Sequence, residues 1–137
     1  MFLPDTNAFS NFLRQKSSTL STRMAEARGS GELLLSSIVL QELEYGAEKA
    51  RLAGELRPRR RVDQLRASFV DVAMYDEIAA AAYGKVRATL ERSGLVIGNN
   101  DLMIAAHALS LGATVVTHNA GEFSRVPGLK VENWQTD

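Results

Sequence analysis

Three acidic residues lie among apolar neighbours in the sequence, and they offer the most distinctive chemistry. Asp5 ends a short apolar run, while Asp101 shares a helical face with Ile104 in a segment that is apolar almost all round. Glu42 falls on the same helical face as Val39 and Leu43. Because burying an unpaired carboxylate is costly, each acid needs a cation, a hydrogen-bond network or a metal ion. Helix capping by Asp5 or Asp101, and an arginine partner for Glu42, are the structural alternatives.

The residue types favour a hard divalent cation. The chain has no cysteine and only two histidines, so a zinc site with nitrogen and sulfur ligands is not expected. We expect one of them, His107, to be a hydrogen-bonded core residue, because it lies inside an apolar helix. Carboxylates that share Mg²⁺ can activate water and neutralise charge on a phosphodiester, which is nuclease chemistry. No convincing Ser-His-Asp set suggests covalent catalysis.

Length and composition indicate one globular domain. The chain has 137 residues, of which 45% are hydrophobic, and its 16 Lys and Arg balance its 16 Asp and Glu. There is neither a GxxxxGK[ST] phosphate loop nor a dinucleotide-binding glycine motif, which argues against P-loop NTPases and nicotinamide enzymes. No apolar segment is long enough to span a bilayer, and the amino end lacks a secretory pattern. We therefore expect a cytoplasmic protein with no membrane association.

Predicted strands alternate with helices along the chain, and this alternation would position the acids. The segments with strand character are 2–5, 32–35, 70–74, 113–117 and 129–134. Such alternation predicts a parallel sheet covered by helices on both faces. Ligands in open parallel sheets bind beyond the carboxyl ends of the strands. Two such ends are polar here, Asp5-Thr6-Asn7 and Thr117-His118-Asn119.

One short basic run stands out against the neutral overall charge. It consists of Arg57, Arg59, Arg60 and Arg61, on a segment predicted to be helical. Such a run is usually a solvated helix face. If the protein acts on RNA, these arginines are candidates for guiding its phosphate backbone.

Four segments together resemble a known family. They are DTN at 5–7, SSIVLQELEYGAEKA at 36–50, IGNNDLMIAAHALSLGATVVTHN at 97–119 and EFSRVPGLKVENW at 122–134. In this order, and over nearly the whole chain, they resemble PIN-domain ribonucleases of the VapC toxin family. The resemblance implies that residues 1–137 form a single PIN-like domain. It further implies a three-layer α/β/α fold with a central parallel sheet of four to five strands.

The resemblance also implies a homodimer that cleaves RNA with Mg²⁺ or Mn²⁺. By motif, Asp5, Glu42 and Asp101 match the first three acids of the family's catalytic and metal-binding set, with the first and third as direct metal ligands. Asn119 falls where many relatives have a fourth Asp; its amide can position water or phosphate but brings no charge. Pro4 is a second departure, because it removes a backbone donor from a strand that should be central.

The remaining implications concern supporting residues and partners. Thr6 and Thr117 would orient the carboxylates, Asn7 completes the first motif, and Glu122 would add a further acid. A VapB-like antitoxin would block the acidic site and would bind promoter DNA together with this chain. Similarity to a subgroup that acts on initiator tRNA suggests tRNA as the substrate.

Three alternatives use the same residues differently. A non-catalytic PIN-like module would hold RNA or a partner without cleaving it. A receiver-like signalling domain would need Asp76 and Lys130 in its phosphorylation site, and neither spacing is persuasive. A phosphatase of the haloacid dehalogenase type would need a second Asp where this chain has Asn7.

Overall fold

The computed structural model describes all 137 residues and contains seven helices and three strands. In chain order the elements are β1 (Phe2–Pro4), α1 (Thr6–Leu13), α2 (Ser18–Gly29), α3 (Ser37–Leu52), α4 (Arg57–Ala67), α5 (Glu77–Ser93), α6 (Asn99–Leu111), β2 (Thr114–Val116), α7 (Ala120–Phe123) and β3 (Val131–Glu132). None of the helices is both long and apolar enough to cross a membrane.

The strands form a parallel sheet in the order β1-β2-β3, as the alternating pattern predicts. Leu3 pairs with Val115, and Val116 pairs with Glu132. The predicted count of four to five strands is too high, because only three segments form strands. Two further pairings are isolated parallel bridges rather than strands: Phe2 pairs with Leu33, and Ser36 pairs with Ala73.

The missing strands are segments that leave the sheet after one or two backbone hydrogen bonds. The Ala73 amide donates to the Leu35 carbonyl at 2.8 Å, and the Ser37 amide donates to the Ala73 carbonyl at 2.9 Å. Ser36 is already the N-cap of α3, and Val70 is 93% exposed. The predicted strand at 70–74 is therefore wrong as a strand, since its single bridge at Ala73 is not extended into a ladder and the rest of the run stays irregular.

Helices cover both faces of the sheet. Consecutive strand residues point to opposite faces, and consecutive residues are buried both in β1, at Leu3 and Pro4, and in β2, at Val115 and Val116. Both faces are thus packed, which is the three-layer arrangement that the sequence predicts. Pro4 is tolerated because it is the last residue of β1.

The core is one cluster of 26 buried residues. Helix α5 packs along α6, and α3 contacts α1, α4 and α6. His107 of α6 is fully buried; its Nδ1 lies 2.9 Å from the Ser36 hydroxyl and its Nε2 lies 3.2 Å from the Met74 carbonyl oxygen. Because both ring nitrogens have partners, His107 is the hydrogen-bonded core histidine that the sequence predicts.

Candidate active site at the carboxyl edge of the sheet

Asp5 follows β1 directly and is 4% exposed. Its backbone amide donates to the Val116 carbonyl at 2.9 Å, so the residue is held against the end of β2. Its Oδ1 accepts a hydrogen bond from the Ala8 amide at 2.8 Å, which makes Asp5 the N-cap of α1. The capping alternative is therefore real, but it occupies only one of the two carboxylate oxygens.

Thr117, the residue after β2, holds the second oxygen of Asp5. Its hydroxyl donates to Oδ2 at 2.6 Å, and the same oxygen accepts the Asn119 amide at 2.9 Å. A hydroxyl has a single proton, so the incoming Asn119 amide leaves that proton directed at Asp5. The parallel pairing of β1 with β2 thus fixes the orientation of the Asp5 carboxylate.

Two opposing effects act on the pKa of Asp5. Burial raises the pKa, because the ionised carboxylate loses water. The hydrogen bonds from Thr117 and Ala8, and the charge of His118, lower it. Burial is the larger effect, so the pKa lies above its ordinary value.

Asp101 and Glu122 form the second part of the site. Asp101 lies in the first turn of α6, and Glu122 lies in α7, the short helix after β2. Burial of Asp101, a hydrogen bond between the two carboxyls and repulsion by Glu122 and Asp5 together raise the pKa of Asp101 to about 7. Three acids from three parts of the chain therefore interact at this edge, and two of them, Asp5 and Asp101, are among the acids predicted to share a metal ion.

Asn119 connects the two parts. Its side-chain amide donates to Glu122 Oε2 at 3.2 Å, while its backbone amide donates to the Thr117 hydroxyl. The sequence predicted Glu122 as a further, supporting acid, and in the structure its carboxyl is hydrogen-bonded to that of Asp101. The feature of the sequence that points to this role is the position of Glu122 in the helical turn after β2, three residues beyond Asn119.

Glu42 is less closely coupled to this group. It is half-buried on α3 and lines a cavity of about 420 Å³ together with Thr6, Arg14 and Arg61. None of these arginines forms an ion pair with it, so the expected arginine alternative is absent. The carboxylates that act on Asp101 are Glu122 and Asp5. Glu42 as the second metal-site acid therefore stays a prediction.

The other motif residues differ in their environment. The Thr6 hydroxyl is buried and has no hydrogen-bond partner. A buried orphan hydroxyl beside a cavity can receive a water or ligand oxygen. Asn7 is exposed on α1. The supporting roles predicted for both residues stay predictions.

The arginine run divides into two pairs. Arg57 pairs with Glu55, and Arg59 pairs with both Glu44 and Asp63. Neither Arg60 nor Arg61 forms an ion pair, but only Arg61 lines a cavity. The run is thus not a uniform basic surface, and its guiding role stays a prediction.

The donor set of the acidic edge suits a hard cation, because it consists of carboxylate, amide and hydroxyl oxygens. Burial chiefly raises the pKa of Asp101, and the repulsion by Glu122 and Asp5 that adds to it is the interaction that a shared cation would relieve. No three acidic or histidine side chains are arranged so that one ion could bind them all directly. The residues thus fit a divalent ion by their chemistry, and the predicted metal site itself stays a prediction.

Comparison with known proteins gives a consistent result. A PIN-domain family model matches residues 2–129. The chain is 41% identical over 102 residues to ribonuclease VapC2 of Rickettsia felis, covering 74% of each protein. It is 38% identical over 135 residues to the tRNA(fMet)-specific endonuclease VapC of Shigella flexneri, covering 97% of each.

Solved structures of VapBC complexes have the same fold as this chain. VapBC2 of Rickettsia felis, bound to a DNA fragment from its promoter, superposes with a TM-score of 0.86 at 32% identity over 97% of this chain and 98% of that one. DNA-bound VapBC of Salmonella typhimurium superposes with a TM-score of 0.83 at 38% identity, and the match covers 97% of each chain. The match decides against the receiver and dehalogenase alternatives, and Asp76 instead caps α5. The chain belongs to the PIN-domain family and, within it, to the VapC ribonucleases.

Proposed function

We propose that this protein is a Mg²⁺-dependent endoribonuclease and the toxin of a VapBC-type toxin-antitoxin pair. The observation that carries the proposal is the acidic edge, where Asp5, Asp101 and Glu122 come together from separate parts of the chain; burial, and after it the two neighbouring acids, raise the pKa of Asp101 to about 7. Like charges are held together at a cost to stability, which indicates a site prepared for a cation. The ribonuclease and endonuclease names of the relatives support the same chemistry.

In this mechanism the chain's own residues orient the reacting groups. Asp5 and Asp101 would be the direct ligands of Mg²⁺, with Mn²⁺ as a substitute, and Glu42 or Glu122 would complete the acidic set. When bound, the ion supplies positive charge for the phosphate oxygens and favours deprotonation of an attacking water. Thr117 keeps Asp5 in one orientation through the hydrogen bond at 2.6 Å. Asn119, which already donates to Glu122, would position the water or the scissile phosphate.

The proposed substrate is RNA, with tRNA as the first candidate. The name of the Shigella flexneri relative supports tRNA, and its match covers 97% of each chain. A VapB-like antitoxin is the proposed partner, because the similar structures from Rickettsia felis and Salmonella typhimurium are VapBC complexes bound to DNA. A homodimer that binds promoter DNA through the antitoxin completes the proposal.

The test is cleavage of total tRNA with Mg²⁺ and with EDTA. We expect Asp101→Asn to lower the Mg²⁺-dependent rate by about 100-fold or more, because even residues that only orient metal ligands contribute about 10- to 100-fold. Asp71→Asn is the matched control, since Asp71 is exposed and lies outside the acidic edge. Equal cleavage by both variants and the wild type, with folding verified, would remove the proposal.

One observation favours a second candidate, a non-catalytic PIN-like module. Asn119 stands where a fourth acid is common, and no three acids are arranged to bind one ion directly. A binding module would retain RNA on a filter whether Mn²⁺ is present or not, and its RNA would remain intact. Mn²⁺-triggered cleavage of the same RNA would exclude this candidate.

A further inference from the structure

A large cavity lies outside the acidic edge and contains none of its three acids. It measures about 880 Å³ and lies between the connection from α1 to α2 and helix α4. Its lining includes Arg14, Arg28 and Arg61, together with several serine and threonine side chains, and it includes no Asp or Glu. The cavity is therefore a groove that is rich in hydrogen-bond donors and has three arginines but no acid in its lining.

The three arginines come from separate elements, and none of them forms an ion pair. Arg14 donates to the Ser10 hydroxyl at 2.8 Å, and Arg28 lies over the Phe69 ring at 5.1 Å. Arg59 of the sequence run, by contrast, is held by two carboxylates. An unpaired guanidinium retains its donors and charge for a ligand.

The groove adjoins a second cavity, which Glu42 also lines. Arg14 and Arg61 also line the neighbouring cavity of about 420 Å³, and that cavity includes Thr6, the residue after Asp5. The acid at the rim of the groove, Asp137, is held by the Ser17 and Ser18 hydroxyls and the Ser18 amide rather than by an arginine. Two of the three arginines thus lie at the junction between the groove and the cavity that reaches Thr6.

We propose that this groove binds the sugar-phosphate backbone of RNA and leads it to the acidic edge, with Arg61 and Arg14 on the phosphates nearest to that edge. The inference rests on the proposed function. Guanidinium and hydroxyl donors are the usual contacts of a phosphate backbone. A protein segment would be expected to insert apolar anchors, whereas most residues that line this groove are polar.

The experiment measures binding of a fluorescein-labelled single-stranded RNA of about 12 nucleotides, a usual length for such sites. Fluorescence anisotropy in EDTA separates binding from cleavage. We expect Arg61→Gln and Arg14→Gln each to weaken binding roughly tenfold at low salt, as the loss of a charged hydrogen bond implies. Each should also reduce the slope of log affinity against log salt by about 0.7.

Arg60→Gln is the matched control, because Arg60 neighbours Arg61 on α4, has no ion pair and lines neither cavity. It should leave affinity and slope unchanged, and Arg61→Lys should keep the wild-type salt slope, since the charge is retained. Equal binding by Arg61→Gln and Arg60→Gln would overturn the inference. So would an acidic polyglutamate peptide that displaces RNA at matched charge concentration, because the occupant would then be a protein segment.

The two proposals fail in distinguishable ways. If the wild type does not cleave RNA in Mg²⁺, the proposed nuclease function is rejected. The anisotropy comparison of Arg61→Gln with Arg60→Gln still tests whether the groove binds RNA. If the wild type cleaves RNA and all arginine variants bind and cleave it equally, the RNA-binding role of the groove is rejected and the proposed nuclease function is retained.

Discussion

Asp5 and Asp76 have the same local role in two regions of the molecule. Each is an N-cap whose side chain accepts the amide three residues later, at 2.8 Å for Asp5 and 3.0 Å for Asp76. Their surroundings differ, because Asp5 is 4% exposed whereas Asp76 is exposed. Only in Asp5 does the second carboxylate oxygen accept a hydrogen bond, from Thr117, which follows β2 and lies more than a hundred residues later in the chain.

This difference shows how a common local motif becomes part of a site. A capping carboxylate in water is stabilised by the helix dipole and by solvent. The same carboxylate at the end of a buried parallel strand loses its solvent and gains an acidic neighbour, Asp101. Tertiary context therefore turns a cap into a group that favours a cation.

The largest effect expected from this comparison is on RNA cleavage. Asp5→Asn should reduce Mg²⁺-dependent cleavage by about 100-fold or more, because a direct ligand should contribute at least as much as the residues that orient it. Asp76→Asn should leave the rate unchanged. Both substitutions keep an N-cap, since Asn caps about as well as Asp.

Initial rates on total tRNA and melting temperatures measured on the same preparations check this expectation. Comparable losses of activity in the two variants would mean that Asp5 acts only as a cap.

A smaller effect is expected at Thr117, which positions Asp5. Thr117→Val removes both the donor to Asp5 and the acceptor for the Asn119 amide, so cleavage should fall by about 10- to 100-fold. Thr117→Ser keeps the hydroxyl and should retain most of the activity. Rates measured across a Mg²⁺ titration distinguish positioning from simple destabilisation, because a disoriented Asp5 raises the Mg²⁺ concentration needed for half-maximal rate.

The smallest expected effect is on stability without metal, and its sign is opposite to the effect on activity. The pKa of Asp101 is about 7 in the fold and near its ordinary value in the unfolded chain. The folded state therefore binds more protons between about pH 4 and pH 7, so stability is lost as the pH rises through that window. Asp101→Asn removes the repelled charge and should raise the melting temperature in EDTA by about 3 to 6 °C at pH 8.

Differential scanning calorimetry of both proteins at about pH 5 and pH 8 checks the sign. The gain from Asp101→Asn should shrink at the lower pH, where the wild-type carboxyl is protonated. Added Mg²⁺ should stabilise the wild type more than the variant, by mass action. A variant that melts below the wild type at pH 8 in EDTA would contradict the assigned repulsion.

Much of the fold follows from local pattern, whereas strand extent does not. Helices with clear apolar periodicity and glycine ends were predictable; α5 and α6 end at Gly94 and Gly112, whose φ angles of 69° and 64° favour glycine. The strand predicted at 70–74 failed because a strand exists only where a neighbour supplies a ladder, and Ala73 has a single bridge. Short apolar runs carry no information about such neighbours.

Which residues can do chemistry is readable from the order of amino acids alone. The chain supplies acids in apolar surroundings, it has no cysteine, and its alternation of strands and helices places Asp5 and Thr117 at strand ends. Which acids interact follows from the folded arrangement, since the partner of Asp101 is Glu122 and Glu42 lies beside a separate cavity. Electrostatic coupling depends on distance and burial in space, and both are set by strand register and helix packing rather than by separation along the chain.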